Sequence, residues 1–87
     1  MFLMVVRVYE KNGWKNSIQY FQLSDYESVD AMVLDAKARF HNILAADLSD
    51  QAITYNTAYI MDNAGNFIQA PEIFDRRPEP EPEPAGE

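Results

Sequence analysis

The sequence predicts an α+β domain of ββαββ order, with one helix on one face of a four-stranded, mainly antiparallel sheet. Three observations predict it: a β-rich pair of segments around Asn12-Gly13, a long apolar stripe at helical spacing, and a second β-rich pair around Asn63–Asn66. We prefer the sheet order 2-1-3-4, because it places the strand that contains Pro71 at an edge, where a missing N–H is tolerated. The alternative order 2-1-4-3 would place that strand in the centre.

The first hairpin is predicted from strand-forming segments on both sides of a turn. Phe2–Glu10 and Trp14–Leu23 are rich in β-branched and aromatic residues. Asn12-Gly13 suits a two-residue turn, because both central positions of such a turn need positive φ. Counting outward from this turn pairs Glu10 with Lys15 and sets which side chains share a face.

The helix and the second hairpin follow from spacing and turn chemistry. Ser24 to Glu27 fits a capping box and Ser28 competes with it, so we expect the helix to begin between Asp25 and Val29. The predicted core stripe of the helix consists of Val29, Met32, Val33, Ala36, Phe40, Ile43 and Leu44. Gln51–Asp62 alternates as a third strand, and Phe67–Ala70 begins a fourth that Pro71 confines to an edge or ends.

The chain divides into a single α+β domain at residues 1–74 and an acidic Pro-Glu tail at residues 75–87. Proline alternates with glutamate from Pro78 to Pro84. Such a segment has no apolar group to bury, so we expect the tail to be disordered.

Composition disfavours several classes of function. The net charge is −7 and no basic cluster is present, which argues against direct binding of nucleic acid or an anionic membrane. No apolar run approaches the roughly 20 residues that cross a bilayer, and cysteine is absent, so we expect a cytoplasmic protein. His41 is the only histidine, and no glycine-rich phosphate loop is present. We therefore predict no catalytic, cofactor-binding or metal-binding residues and no enzymatic activity.

Two surfaces are candidates for contact with a partner. With the predicted hairpin register, one sheet face carries aromatic residues and an arginine, the residue types enriched at binding hot spots. The predicted partner-contact residues are Arg7, Tyr9, Trp14, Tyr20, Tyr55 and Tyr59. Both sheet faces carry large apolar groups, so the pattern leaves open which face the helix covers. The second candidate is the back of the helix, where Leu34 lies in a stripe of alanines.

The passage AKARFHNILAADLSD and the later AYIMDNAGN carry a resemblance to known proteins. Over about residues 31–66, the chain resembles short uncharacterised ββαββ accessory proteins of bacterial phages and mobile elements. In those proteins an alanine-rich helix with a Phe/His pair leads into a strand that ends in an Asp…Gly-Asn turn. The resemblance implies a bacterial, cytoplasmic accessory protein, and it implies no catalytic residues.

These observations favour a non-enzymatic protein-interaction or accessory protein that self-associates through the sheet face left uncovered by the helix. The protein partner is then a second copy or another subunit. One alternative is an acidic inhibitor that occupies a nucleic-acid-binding groove of another protein, since acidic residues surround the helix. A small-molecule enzyme is a second alternative, and it would require a pocket lined by acids or His41.

Overall fold

The order of elements in the computed structural model, which describes residues 1–77, is ββαββ. The strands are β1 (Phe2–Glu10), β2 (Trp14–Gln22), β3 (Tyr55–Asp62) and β4 (Phe67–Asp75), and the helix α1 is Val29–Ser49. A short 3-10 turn, Leu23–Asp25, connects β2 to the segment that enters α1. The predicted α+β class and element order are confirmed. Residues 78–87 of the predicted disordered tail lie outside the described residues.

The four strands form one antiparallel sheet in the order β2-β1-β3-β4. This confirms the predicted order, with Pro71 in the edge strand β4. The strand continues through Pro71 to Asp75, well beyond the predicted segment Phe67–Ala70. An edge strand can do this because one side of its backbone has no partner to lose. The pairing of β3 with β4 shifts register between Ala58 and Met61, opposite this part of β4.

The register of the first hairpin differs from the prediction by one residue. Glu10 pairs with Trp14, so the loop contains three residues, Lys11–Gly13, instead of two. Asn12 and Gly13 both have positive φ, as expected, at 54° and 118°. The Glu10 carboxylate accepts a hydrogen bond from the Gly13 amide at 2.8 Å, which ties the loop to the end of β1. Because side chains alternate, the one-residue change moves the β2 side chains to the opposite sheet face from the predicted one.

The helix begins at the last position of the predicted range. Ser28 is the N-cap, and its hydroxyl accepts from the Ala31 amide at 3.1 Å. From there, the helix lays its apolar stripe on one face of the sheet, which we call the helix face. The buried core between helix and sheet consists of Leu3, Val5, Phe21, Met32, Ala36, Phe40, Ala58 and Ile60. Val29, predicted as part of the stripe, is 41% exposed, because it lies in the first turn beyond the edge of the packed region.

Candidate interaction surface

The sheet face away from α1, which we call the open face, is built from the alternate residues of all four strands. On β1, Met4, Val6 and Val8 belong to this face, and they lie beside Tyr20, Ile18 and Asn16 on β2. On the other side of β1, the same positions pair with β3. The open face consists of Phe2, Met4, Val6, Val8, Glu10, Trp14, Asn16, Ile18, Tyr20, Gln22, Tyr55, Thr57, Tyr59, Met61, Phe67, Ile73 and Asp75.

Large apolar side chains remain accessible on the open face. Trp14 is 58% exposed, Tyr20 57%, Phe67 54% and Ile18 49%. Strands of nine residues are about 30 Å long, and four of them are about 19 Å across, so the face covers about 570 Å² in projection. The largest apolar patch on a typical monomer is about 300–600 Å² and is often functional. The open face is therefore large enough to be a binding surface.

The aromatic rings of the open face are already held in place by one another. Phe2 and Tyr20 meet edge to face with centroids 5.7 Å apart, and Tyr59 and Phe67 do the same at 5.5 Å. Trp14 meets Tyr55 at 5.2 Å, reaching from β2 across β1 to β3. Rings fixed in this way lose little side-chain entropy when a partner covers them, which favours binding.

The six predicted partner-contact residues do not share one face. Trp14, Tyr20, Tyr55 and Tyr59 lie on the open face, whereas Arg7 and Tyr9 lie on the helix face. Their predicted common face is wrong because it followed from a two-residue hairpin loop. With the observed three-residue loop, the aromatic side chains of β2 align with Met4 and Val6 and no longer with Arg7 and Tyr9.

Arg7 and Tyr9 instead belong to a polar cluster under the C-terminal part of α1. Arg7 donates to Asp47 twice, with Nε–Oδ2 at 2.7 Å and Nη2–Oδ1 at 2.5 Å. The Tyr9 ring lies 3.8 Å from the Arg7 guanidinium carbon. Asn56 Nδ2 donates to Asp47 Oδ2 at 2.5 Å, and both Asp47 and Asn56 are buried. This cluster joins the helix to β1 and β3.

The importance of Asp47 was not predicted from the sequence. A signal was present, since Asp47 follows Phe40 by seven residues and so continues the buried stripe of Met32, Ala36 and Phe40. A carboxylate at such a position needs a cationic partner. Arg7, within an otherwise apolar strand, is that partner.

One end of the open face carries charges, in a row that crosses the four strands. Trp14, Glu10, Tyr55 and Asp75 are consecutive neighbours in this row. Arg77 donates to Asp75, with Nη2–Oδ2 at 2.8 Å and Nε–Oδ1 at 3.0 Å. These hydrogen bonds from the Arg77 side chain, followed by one from its amide, lower the pKa of Asp75 to about 2. The same pairing raises the pKa of Arg77.

Glu10, in the middle of this row, is held by other donors. The hydroxyl of Thr54 and the amide of Gly13 donate to its carboxylate. These bonds, with that from Thr54 as the larger cause, lower the pKa of Glu10. Glu10 therefore stays ionised beside the Trp14 and Tyr55 rings.

A smaller apolar groove of about 210 Å³ lies between α1 and β4. Its lining residues are Leu44, Ala45, Leu48, Glu72, Ile73 and Phe74. Leu48 and Ile73 are both more than half exposed there. The back of α1 exposes Leu34 to 72%, with Ala38 also exposed.

The described residues contain few features of a metal or catalytic site. Within residues 1–77, no group of three or more His, Asp or Glu side chains is placed to hold a metal ion. His41 lies exposed on α1, and its ring packs edge to face on Phe40 with centroids 5.3 Å apart. No helix in the same part of the chain is long and apolar enough to cross a membrane.

Comparison with known proteins adds nothing to the geometry of the open face and its charged end. No protein-family model, curated protein or solved structure matches the chain.

Proposed function

We propose that the protein is a non-enzymatic, cytoplasmic interaction protein that self-associates through the open face. The observation that supports this most is the half-exposed apolar surface of Trp14, Ile18 and Tyr20 on the side of the sheet away from α1. Burying such surface is favourable by about 25 cal/mol per Å². A second copy offers an equal apolar surface, so each copy covers the other.

Size and charge both favour a second copy as the occupant. A standard protein interface buries about 800 Å² per partner, and the relief of the aromatic side chains raises the accessible area of the open face above its projected area of about 570 Å². The centre of the face carries no charged side chain, so no charge has to be buried when two copies meet. Two antiparallel sheets packed in this way form a sandwich with their backbones about 10 Å apart.

Sedimentation velocity over a range of protein concentrations tests the proposal. We expect the wild-type chain to sediment as a dimer and Ile18→Glu as a monomer, since this change places a charge among the exposed apolar side chains of the open face. Leu34→Glu is the matched control, because it makes the same polar change on the exposed back of α1. A monomeric wild-type chain overturns the proposal, and a monomer produced only by Leu34→Glu moves the interface to the helix.

The acidic-inhibitor alternative receives no specific support from the geometry. The acids around the helix that motivated it are Glu27, Asp30, Asp35, Asp47 and Asp50. Three of these five make contacts within the domain. Asp47 pairs with Arg7, and Asp50 pairs with Lys11 at 2.8 Å. Asp35 accepts a hydrogen bond from the Tyr26 hydroxyl. These carboxylates are less available to imitate a row of phosphates, so we retain self-association as the proposed function.

A further inference from the structure

The charged end of the open face has the composition of a cation-binding site. We define the cation corner as the rings of Trp14 and Tyr55 together with the carboxylates of Glu10 and Asp75. The two rings pack edge to face at an angle of 65°. The guanidinium carbon of Arg77 lies 4.7 Å from the Tyr55 centroid and 5.5 Å from the Trp14 centroid. Arg77 therefore occupies the corner.

The chemistry of the corner suits a guanidinium group better than an ammonium group. Asp75 receives two parallel N–H donors from Arg77, a geometry that the planar fork of arginine provides and lysine does not. The aromatic faces attract the delocalised cation. Glu10 adds a second negative charge while its own hydrogen bonds come from Thr54 and Gly13. Without Arg77, the corner would hold two carboxylates beside two aromatic rings.

We propose that the cation corner is a receptor for an arginine side chain of a partner protein, and that Arg77 occupies it as an internal ligand. The side chains of Arg77 and Asp75 are 45% and 42% exposed, so a competing guanidinium can reach them from solvent. Arg77 follows the last residue of β4 by two positions, and its side chain can leave without breaking a strand pair. A single copy supplies all the residues of this site, so a monomer can bind arginine, whereas a dimer that buries Trp14 and Tyr55 on the open face would compete with arginine for them.

Removal of the internal ligand, by Arg77→Ala, gives the direct test. The probe is N-acetyl-arginine amide, and the readout is the fluorescence of Trp14, the only tryptophan in the chain. We expect saturable binding to Arg77→Ala in the millimolar range. Because a tethered ligand competes at an effective concentration of about millimolar or more, which is comparable with this dissociation constant, we expect the wild-type chain to bind the probe at least about twofold more weakly.

Matched ligands and variants separate this site from a general charge effect. N-acetyl-citrulline amide has the same shape without the charge, and we expect it to leave the Trp14 emission unchanged. Adding Asp75→Asn to Arg77→Ala should reduce probe affinity at least severalfold, because the bidentate acceptor is lost. Arg77→Gln serves as a second variant without the internal ligand if Arg77→Ala does not give the circular dichroism spectrum of the wild-type chain.

Three results would each overturn the proposal. The first is the absence of a saturable response in both Arg77→Ala and Arg77→Gln. The second is an equal affinity of the wild-type chain and these variants for the arginine probe. The third is an equal response to the arginine and citrulline probes. Repeating the titration with Ile18→Glu added keeps the outcome separate from self-association. Binding that persists in that background supports the receptor whether or not the wild-type chain forms dimers.

Discussion

Asp47 shows how a single residue connects the helix to the sheet. Its carboxylate lies under the last turns of α1 and receives hydrogen bonds from Arg7 on β1 and Asn56 on β3. The remaining Asn56 oxygen is buried and makes no hydrogen bond within the described residues. Buried charges are tolerated only when paired, so the cluster selects one position of the helix along the sheet.

Removing the carboxylate of Asp47 leaves Arg7 partly buried without a counterion. We expect Asp47→Ala to lower the free energy of unfolding by about 2–3 kcal/mol, below the full cost of breaking a buried pair because Arg7 retains some contact with water. Urea unfolding measures the change. The control is Glu27→Ala, an exposed acid before α1, which should change stability by less than about 0.5 kcal/mol. Equal effects of the two substitutions would contradict a structural role for the cluster.

The Asp75–Arg77 pair gives a local pH dependence. The pKa of Asp75 is about 2 in the folded chain, below its usual value of about 3.9, so the pair stabilises this end of the sheet above pH 4. That contribution is lost as pH falls from about 4 towards 2. We expect the emission of Trp14 to change over this window, because Arg77 leaves its ring.

Two variants show whether Asp75 or Glu10 causes that transition. Asp75→Asn should abolish the change in Trp14 emission, since the carboxylate that accepts hydrogen bonds from Arg77 is gone. Glu10→Gln should preserve it, although Glu10 lies in the same row. A transition that disappears in Glu10→Gln and persists in Asp75→Asn would show that Glu10 holds Arg77 in place.

At the scale of elements, α1 depends on partners at both ends. Ser28 caps its N-terminus. No basic residue lies in the last turn of the helix, and Arg76, just after β4, takes that role. Its guanidinium donates to the carbonyls of Leu48, Asp50 and Ile53. A cation at this position interacts favourably with the helix dipole, so the end of β4 stabilises the end of α1.

The choice between two serines as the helix cap can be measured directly. Ser28→Ala should lower the free energy of unfolding by about 1 kcal/mol, because the Ala31 amide loses its acceptor. Ser24→Ala should have little effect, since Ser24 lies in the 3-10 turn before the helix. Urea unfolding of both variants distinguishes them, and a larger effect at Ser24 would restore the earlier capping position predicted from the sequence.

The contribution of Arg76 is best seen at the helix end itself. We expect Arg76→Ala to speed amide hydrogen exchange in the last turn of α1 and to cost about 1 kcal/mol of stability. The Asp50 amide, which donates to the Ala46 and Asp47 carbonyls, is the most direct reporter. Arg77→Ala is the control, because the neighbouring arginine faces the cation corner. Unchanged exchange at Asp50 in Arg76→Ala would contradict the capping role.

Over the whole molecule, local sequence patterns predicted the element order and the strand order, but they did not predict the register of the first hairpin. The strand order followed from Pro71, because a missing N–H is tolerated only where the backbone lacks a partner. The faces of β2 could not be predicted, since Asn12-Gly13 is compatible with a two-residue or a three-residue loop. That difference of one residue decides whether Trp14 and Tyr20 share a sheet face with Arg7 or with Met4. The contact between Arg7 and Asp47 joins residues 40 positions apart, which no local pattern relates.

Salt distinguishes an apolar interface from an electrostatic one. We expect the dimer dissociation constant of the wild-type chain to change less than about threefold between 50 and 500 mM sodium chloride, because the centre of the open face is uncharged. Sedimentation equilibrium at both salt concentrations measures it. A steep loss of dimer at high salt would indicate that the charged row around Asp75 carries the association.

The central position of β1 also affects how the chain folds during synthesis. β1 leaves the ribosome before the other three strands of the sheet, and β2 soon covers one of its edges. Its other edge pairs with β3, which ends at Asp62, after the whole of α1 has been made. Pairings between distant segments form slowly, because a long loop must close first. Until β3 has been made, the nascent hairpin therefore exposes one edge of β1 and both apolar faces. A chaperone would bind these surfaces most effectively during this interval.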